Sequence, residues 1–385
     1  MKYYKFGDKN GRYIGSNDKY DVYENTIASR ITENNEKIKK EPYEMYFNYG
    51  PSAGGLRESV NFNIVTPGET IRDITVNSYY KRRRIKIIND DIDTALLKVE
   101  RINGFHSASN TVCFLLAVED ALNIDNHNSN NKRIIEIELE RIRSNLDVIK
   151  GLCESAGFSV PEKQLLYLME KVTRIISDTF NHRYFFSANY INNVYGNFDS
   201  IKLDDIYKEF NEIYNGLLES KIFMDRIQEN GIVKDANSTG PAARASGYKY
   251  DARIDSKSLV YNNYSIFSME DGDTFSRFMV RSNEIFSSIE IINNNLNKIN
   301  NNKNDVKIEN KSGEGAARIE SPQGDIFYYV NIENNKIRGL SIISPSYLNI
   351  ELFKKAIKNN NILTDFFFVW NSFGIWISEL EVDFI

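Results

Sequence analysis

Apolar and polar residues alternate over residues 60–64, with Val60, Phe62 and Ile64 apolar and Asn61 and Asn63 polar, which is the period of a half-buried strand. Pro67-Gly68 follows, a pair suited to a type II turn, and Ile74 and Val76 resume the alternation, so a β-hairpin is predicted here. Beyond Asp91 the period lengthens. Residues 92–122 hold no proline and read as helical up to Asn123, and the asparagine-rich run 125–131 reads as a surface loop. Ile135, Leu139, Ile142, Leu146 and Ile149 then recur at steps of four and three, one apolar stripe on a helix. Ile206, Phe210, Ile213 and Leu217 repeat the spacing, as do Ile285, Ile289, Ile292, Leu296 and Ile299. Pro161 suits the start of a further helix over 162–178. Such stripes on several long helices predict a bundle.

Residues 1–42 are polar, rich in Lys, Asn, Glu and Tyr, and lack a sustained period, so they are read as an N-terminal polar arm. Residues 43–90 form the β-hairpin region. The helical core occupies 91–310, and its last stretch, 293–310, frays into an Asn- and Lys-rich loop. The C-terminal β/α segment is 311–385. Within it, 326–330 and 338–343 predict a second hairpin around Asn334-Asn335, and 350–357 a short helix. The tail 366–385 is strongly apolar and must be covered by the body or by a partner. The predicted fold class is α+β, mostly α: a long-helix bundle with small antiparallel β elements near the N-terminus and in the C-terminal third.

Composition narrows the partners. Hydrophobic residues are 41% of the 385 and charged residues 26%, enough for a sizeable core. Lys and Arg number 48 against 53 Asp and Glu, a net charge of −5 that argues against nucleic acid as the main partner. The two cysteines, Cys113 and Cys153, rule out a disulfide framework, a four-thiolate metal site and a self-held iron–sulfur cluster. The start of the chain lacks a signal-peptide pattern. The longest apolar run, 112–118, falls short of the roughly 20 residues of a bilayer span, so membrane association would come through a partner.

Motifs that carry chemistry are few. There is no GxGxxG between a strand and a helix, no Walker loop and no HExxH. The three histidines, His106, His127 and His182, lie far apart, and His127 reads as solvated. Cys113, within Val112-Cys113-Phe114-Leu115, reads as a buried inert thiol. Glu136, Glu138 and Glu140 with Arg141 and Arg143 read as a solvated or i,i+3 ion-paired helix face, with a metal or proton-relay surface as the alternative. The basic run 81–84 is a grip for an anionic partner or a solvated edge. Residues 240–247, Gly-Pro-Ala-Ala-Arg-Ala-Ser-Gly, set small residues around Arg244, with Asp251 or Asp255 as counter-charge; this spacing reads as a buried structural ion pair.

Several of these segments, in order and over roughly residues 45–385, resemble the large subunit shared by membrane-bound nickel–iron hydrogenases and respiratory complex I (in NADH-quinone oxidoreductase, the 49 kDa type). Gly50-Pro51 and the hairpin after it resemble the N-terminal loop and sheet of that family. Glu100-Arg101-Ile102-Asn103-Gly104-Phe105-His106, leading to Leu116–Glu119, resembles its first metal-ligand motif, and Glu138–Ile142 the next helix. His182-Arg183-Tyr184 resembles its Gly-His-Arg segment. The most specific matches are 240–247 with Asp251-Ala252-Arg253, and Gly272-Asp273 through Arg277 and Arg281 to Glu284.

Departures from the pattern set the functional expectation. The hydrogenases of this family hold nickel and iron with four thiolates, which such soft ions need. Here Asn103 and His106 replace the first pair, and Ser372–Ser378 has no cysteine. Gln323 stands where the overhanging arginine would be, and Ile85 where an acid would be. The resemblance therefore implies a chain that holds no cofactor itself and is not itself a hydrogenase. It implies a subunit of an oxidoreductase complex at the cytoplasmic face of the membrane, peripheral, with an iron–sulfur small subunit and membrane-arm subunits as partners. The acceptor implied is a quinone or a sulfur compound. The family's quinone-contacting histidine and tyrosine fall on Ala53 and Gly104, which leaves His106, beside Asn103, as a displaced proton or hydrogen-bond donor. Tyr79, Tyr80 and Tyr184 would line a cavity or pack in the core. Arg244, Arg253 and His182 are expected to face the partner's iron–sulfur cluster, where fixed positive charge stabilises the reduced state. A catalytically silent scaffold of such a complex is the alternative, and a stand-alone enzyme using His106 is a third reading.

Overall fold

The computed structural model describes residues 12–16, 21–24, 41–125, 127, 129–256, 258–262, 264–299, 311–358 and 361–385. Most of the predicted polar arm over 1–42, and the end of the loop predicted over 293–310, lie outside the described residues. Within the arm, strands β1 (Arg12–Ser16) and β2 (Asp21–Glu24) pair antiparallel. Strands β3 (Met45–Tyr49), β4 (Asn61–Thr66) and β5 (Asp73–Asn77) make an antiparallel sheet in that order, and the predicted hairpin is its β4–β5 half. The sequence does not announce β3, because its side chains are nearly all exposed and carry no apolar alternation. Strand β6 (Arg83–Ile85) comes next.

The run 92–122 is not one helix. Helix α1 (Ile92–Val99) stops, and α2 (Ser107–Leu122) starts after a tight 3-10 turn at Gly104–His106. Asn103 causes the break: its backbone is extended and its side chain accepts the Phe105 N–H at 3.0 Å. The Glu140 side chain then caps α2 from outside, accepting the N–H groups of Ala108 (2.8 Å) and Ser109 (3.1 Å), where the helix dipole favours a carboxylate.

Helix α3 (Asn130–Ser155) is the axis of the molecule, packed by α4 (Ser159–Phe180) and, after short strands β7 (Asn189–Tyr190) and β8 (Asn193–Val194), by later elements. These are α5 (Asp204–Glu219), α6 (Lys221–Ile227), the short α7 (Gly240–Ala245) and α8 (Ala252–Asp255), and the long α9 (Thr274–Leu296). The predicted stripes on α3, α5 and α9 meet in one apolar core with α4. Helix α2 packs instead on a second antiparallel sheet, β9 (Gly313–Ser321), β10 (Gly324–Glu333) and β11 (Lys336–Ile343), in the order β11-β10-β9. The predicted hairpin is β10–β11. Strand β9 escapes a hydrophobic reading because its residues are small: a side chain at Gly315 would overlap the α2 backbone at Ala117 and Ala121.

The C-terminal segment closes the molecule. Helix α10 (Ser346–Ile357) and helix α11 (Phe366–Phe373) cover β4 through a cluster in which Phe62 meets Phe353, Phe366 and Trp370 edge-on. The apolar tail is thus buried within this chain. Its last strand, β12 (Val382–Phe384), pairs in parallel with β6. The basic run is neither a solvated edge nor free: Arg82 pairs with Asp383 at 2.7 Å, and Arg83 donates to the carbonyls of Ile102 and Ser378. Among the described residues no helix is long and apolar enough to cross a membrane.

Candidate functional site

Asn103 and His106 stand 276 and 273 residues from Glu379 in sequence, yet both meet it in space. Glu379 accepts from Asn103 Nδ2 at 2.8 Å and lies 3.1 Å from His106 Nδ1. Its second oxygen accepts the Ser344 hydroxyl at 2.6 Å. Burial raises the affinity of Glu379 for a proton, yet the bond and charge of His106, with Ser344 and Asn103, hold its pKa below the ordinary carboxylate range. The other ring nitrogen of His106 lies 3.0 Å from the Ser144 hydroxyl on α3, which also accepts from Gln323 Nε2 at 2.8 Å. Phe105 and Trp376 stack at 5.0 Å, and Trp376 meets the imidazole edge-on at 5.4 Å. His106 is buried, with both nitrogens engaged.

The path continues inward. Gln323 Oε1 accepts from Arg281 at 2.7 Å, and Arg281 donates to Asn145 Oδ1 at 2.9 Å. Asn145 in turn donates to Glu284 at 3.1 Å, and Glu284 pairs with Arg244 and with Arg253. Arg281 also binds the Ser372 and Phe373 carbonyls, and Arg277 the Ser372 hydroxyl, so two cations from α9 sit at the negative end of the α11 dipole. Burial pushes both arginines down to about 9, so they remain charged at neutral pH.

Beyond Glu284 lies a buried charged cluster that ties α3, α7, α8, α9 and β9 together. Arg244 contacts Asp251 (2.9 Å), Glu320 (2.8 Å) and Glu284. Arg253 binds Asp251 at 2.6 Å under the Tyr264 ring, whose centroid is 4.1 Å away. Arg141 pairs with Glu138 at 3.1 Å and donates to the Glu320 carbonyl at 2.6 Å. Burial opposes the charge on Glu284, but Arg244, Arg253 and Arg141 win and bring its pKa down to about 2. For Glu320, burial and the nearby Asp251 win instead and push the pKa up.

The predicted residues therefore divide. Asn103 and His106 share one site. Arg244 and Arg253 share a second, joined to the first through Glu284, and both are buried, so neither presents its guanidinium to a neighbouring subunit. His182 is apart from both, stacked on Phe186 at 4.6 Å near the surface. Glu136, Glu138, Glu140, Arg141 and Arg143 are all buried, not solvated, and only Glu138–Arg141 forms the i,i+3 pair expected. Tyr79, Tyr80 and Tyr184 are exposed rather than core. Residues that pattern-reading missed are Ser144, Asn145, Ser344, Glu320 and Glu379. Glu379 had a signal: it is a carboxylate in an apolar tail that must be buried, and so needs partners.

A nickel–iron centre of the kind held by hydrogenases does not fit these residues. The donors at 103 and 106 are an amide and an imidazole already bound to Glu379 and Ser144, and Gln323 fills the space against Gly374, where a Cβ would overlap its side chain. Among the described residues no three His, Cys, Asp or Glu side chains converge as a metal requires. A cleft of about 10 Å3 beside Arg57, Trp370 and Gly374 has room for about one water.

The comparisons with known proteins agree on one family. Residues 197–312 match the family described as respiratory-chain NADH dehydrogenase, 49 Kd subunit. The D subunit of NADH-quinone oxidoreductase from Geobacter sulfurreducens is 25% identical over 387 residues, covering 88% of this chain and 98% of that protein. Membrane-bound hydrogenase subunit alpha of Pyrococcus furiosus is 24% identical over 363 residues, covering 84% of each. Among solved structures, a chain of the membrane-bound sulfane sulfur reductase, described as an archaeal respiratory membrane complex, superposes with a TM-score of 0.80 at 18% identity, over 89% of this chain and all of that one. The last likeness confirms the predicted fold.

Proposed function

Starting from a chain whose relatives are the large subunits of complex I and membrane-bound hydrogenase, we propose that it is the docking large subunit of a membrane respiratory oxidoreductase, packed on a cluster-bearing small subunit. The centre of this chain is structural in that role. One observation carries the reading: the segments that would have supplied thiolates are cross-linked by side chains, through Glu379–His106–Ser144–Gln323–Arg281. A buried polar network that is well satisfied fixes one arrangement of its segments, which is what a metal formerly did for them. The small volume left beside it favours the scaffold reading over an acceptor cavity enclosed by this chain. The redox chemistry then belongs to cofactors of partners, and this chain supplies their packing surface and exclusion of water.

The test is a complex purified from native membranes through this chain. It should contain a small subunit with iron–sulfur clusters and no stoichiometric nickel. A photoreactive quinone analogue should leave residues 103–106 and 372–379 unlabelled. Nickel held by this chain, or label on Asn103 or His106, would overturn the proposal.

A further inference from the structure

We propose that the outer face of α4 and α5 is a docking groove for a basic, amphipathic helix of a neighbouring subunit. An open groove of about 500 Å3 runs between the start of α4 and α5. Phe158, Pro161, Ile213 and Leu217 form its apolar floor, and Glu209 and Glu212 stand at its rim, with no lysine or arginine in the lining. Apolar surface flanks it: Val160 is 68% exposed, Tyr167 60% and Ile222 70%. A floor of this kind with a charged rim matches an amphipathic helix laid in by its apolar face.

Two features select the occupant. The first is charge. Helix α5 carries Asp204, Asp205, Glu209, Glu212 and Glu219 against Lys208 alone. Lys171 pairs with Glu209, but Glu212 makes no ion pair among the described residues. A helix with lysine or arginine along its flanks would complete these charges. The second is Gly216, in the interior of α5, where glycine costs about 1 kcal/mol relative to alanine. A Cβ there would meet nothing within 4 Å, so no contact inside the chain calls for glycine. An absent side chain on the groove wall lets a second backbone come close.

This inference uses the assembly reading only in expecting other subunits to be present. The experiment is Tyr167→p-benzoylphenylalanine in the full chain, irradiated within the native complex, with the adduct sequenced by mass spectrometry. The expected adduct is a helical segment of another subunit with net positive charge. Glu209→Lys with Glu212→Lys should lower its yield about tenfold at low salt. Gly216→Trp, whose side chain enters open space, should abolish it without lowering the unfolding temperature. If other subunits co-purify and the probe captures none of them, or captures only an acidic segment or a second copy of this chain, the groove proposal fails and the assembly stands. If the chain purifies alone, both fail.

Discussion

Glu136 is buried between α2 and α3 with one oxygen bonded to Asn189 Nδ2 at 2.6 Å and the other without a hydrogen-bond partner among the described residues. Burial, with the charge of Glu140 adding to it, pushes its pKa up to about 8 against the pull of Asn189 and Arg133. The folded state therefore holds a proton that the unfolded chain releases near its ordinary value of 4.5. Stability from this group is complete below that value and is lost as pH rises through about 8. Between pH 5 and 8 the wild-type protein should lose on the order of 1 kcal/mol per pH unit from this residue. Glu136→Gln, which keeps the shape without the charge, should flatten that slope. Chemical denaturation of both proteins at pH 5, 6.5 and 8 measures it, and parallel slopes would refute the assignment. Glu379 runs the other way. Its pKa is depressed, so its contribution is present at neutral pH and lost as pH falls below the ordinary carboxylate range. Hydrogen exchange should accordingly show the β6–β12 pair, which follows Glu379 in the chain, losing protection in acid before α3 and α9 do; simultaneous loss would show that the tail is held independently of Glu379.

At the scale of elements, the turn from β9 to β10 and the end of α11 meet through Gln323 and Gly374. Gly374 ends α11 at φ +65°, and any side chain there would overlap Gln323. Gly374→Ala should cost more than the about 1 kcal/mol of a positive φ alone. Gln323→Ala should cost about 1–3 kcal/mol, since it strands Arg281 and Ser144. Because Gln323→Ala also relieves the overlap, the double variant should cost less than the sum by about 1 kcal/mol or more, and additivity within about 0.5 kcal/mol in urea melts would show that the two do not touch. The same elements explain what could be read in advance. Stripes such as Ile135–Ile149 were legible because apolar spacing and burial coincide on α3. The charges between them were misread because α3 is surrounded, so its polar residues also face protein and Glu136, Glu138 and Glu140 are buried. A pattern reading assumes water on the polar side. The position of Asn103 and His106 was legible through resemblance, whereas their shared partner Glu379 is a long-range contact that no local period encodes.

For the molecule as a whole, the buried charges decide what a single substitution does to the assembly. Arg244 sits among Asp251, Glu284 and Glu320, and joins α7 to α9 and β9. Arg244→Met keeps much of the volume but leaves three carboxylates without their shared cation, and breaking a buried pair in this way costs about 3–5 kcal/mol. Asp251 and Glu284 are held low in the native protein, so the stability they provide is present above the ordinary carboxylate pKa and fades as pH falls toward about 2. The penalty of Arg244→Met should therefore be largest at neutral pH and shrink at pH 4, where the abandoned carboxylates take up protons. Because Arg244 is buried under its own chain, the loss should appear first in the unfolding of this subunit. Whatever complex still assembles should keep the midpoint potential of its nearest cluster. Calorimetry of the subunit at pH 7 and pH 4, with a redox titration of the complex, separates the two effects. An unchanged melting temperature with a shifted potential would mean that the guanidinium acts on the partner's cluster across the interface and not on the fold.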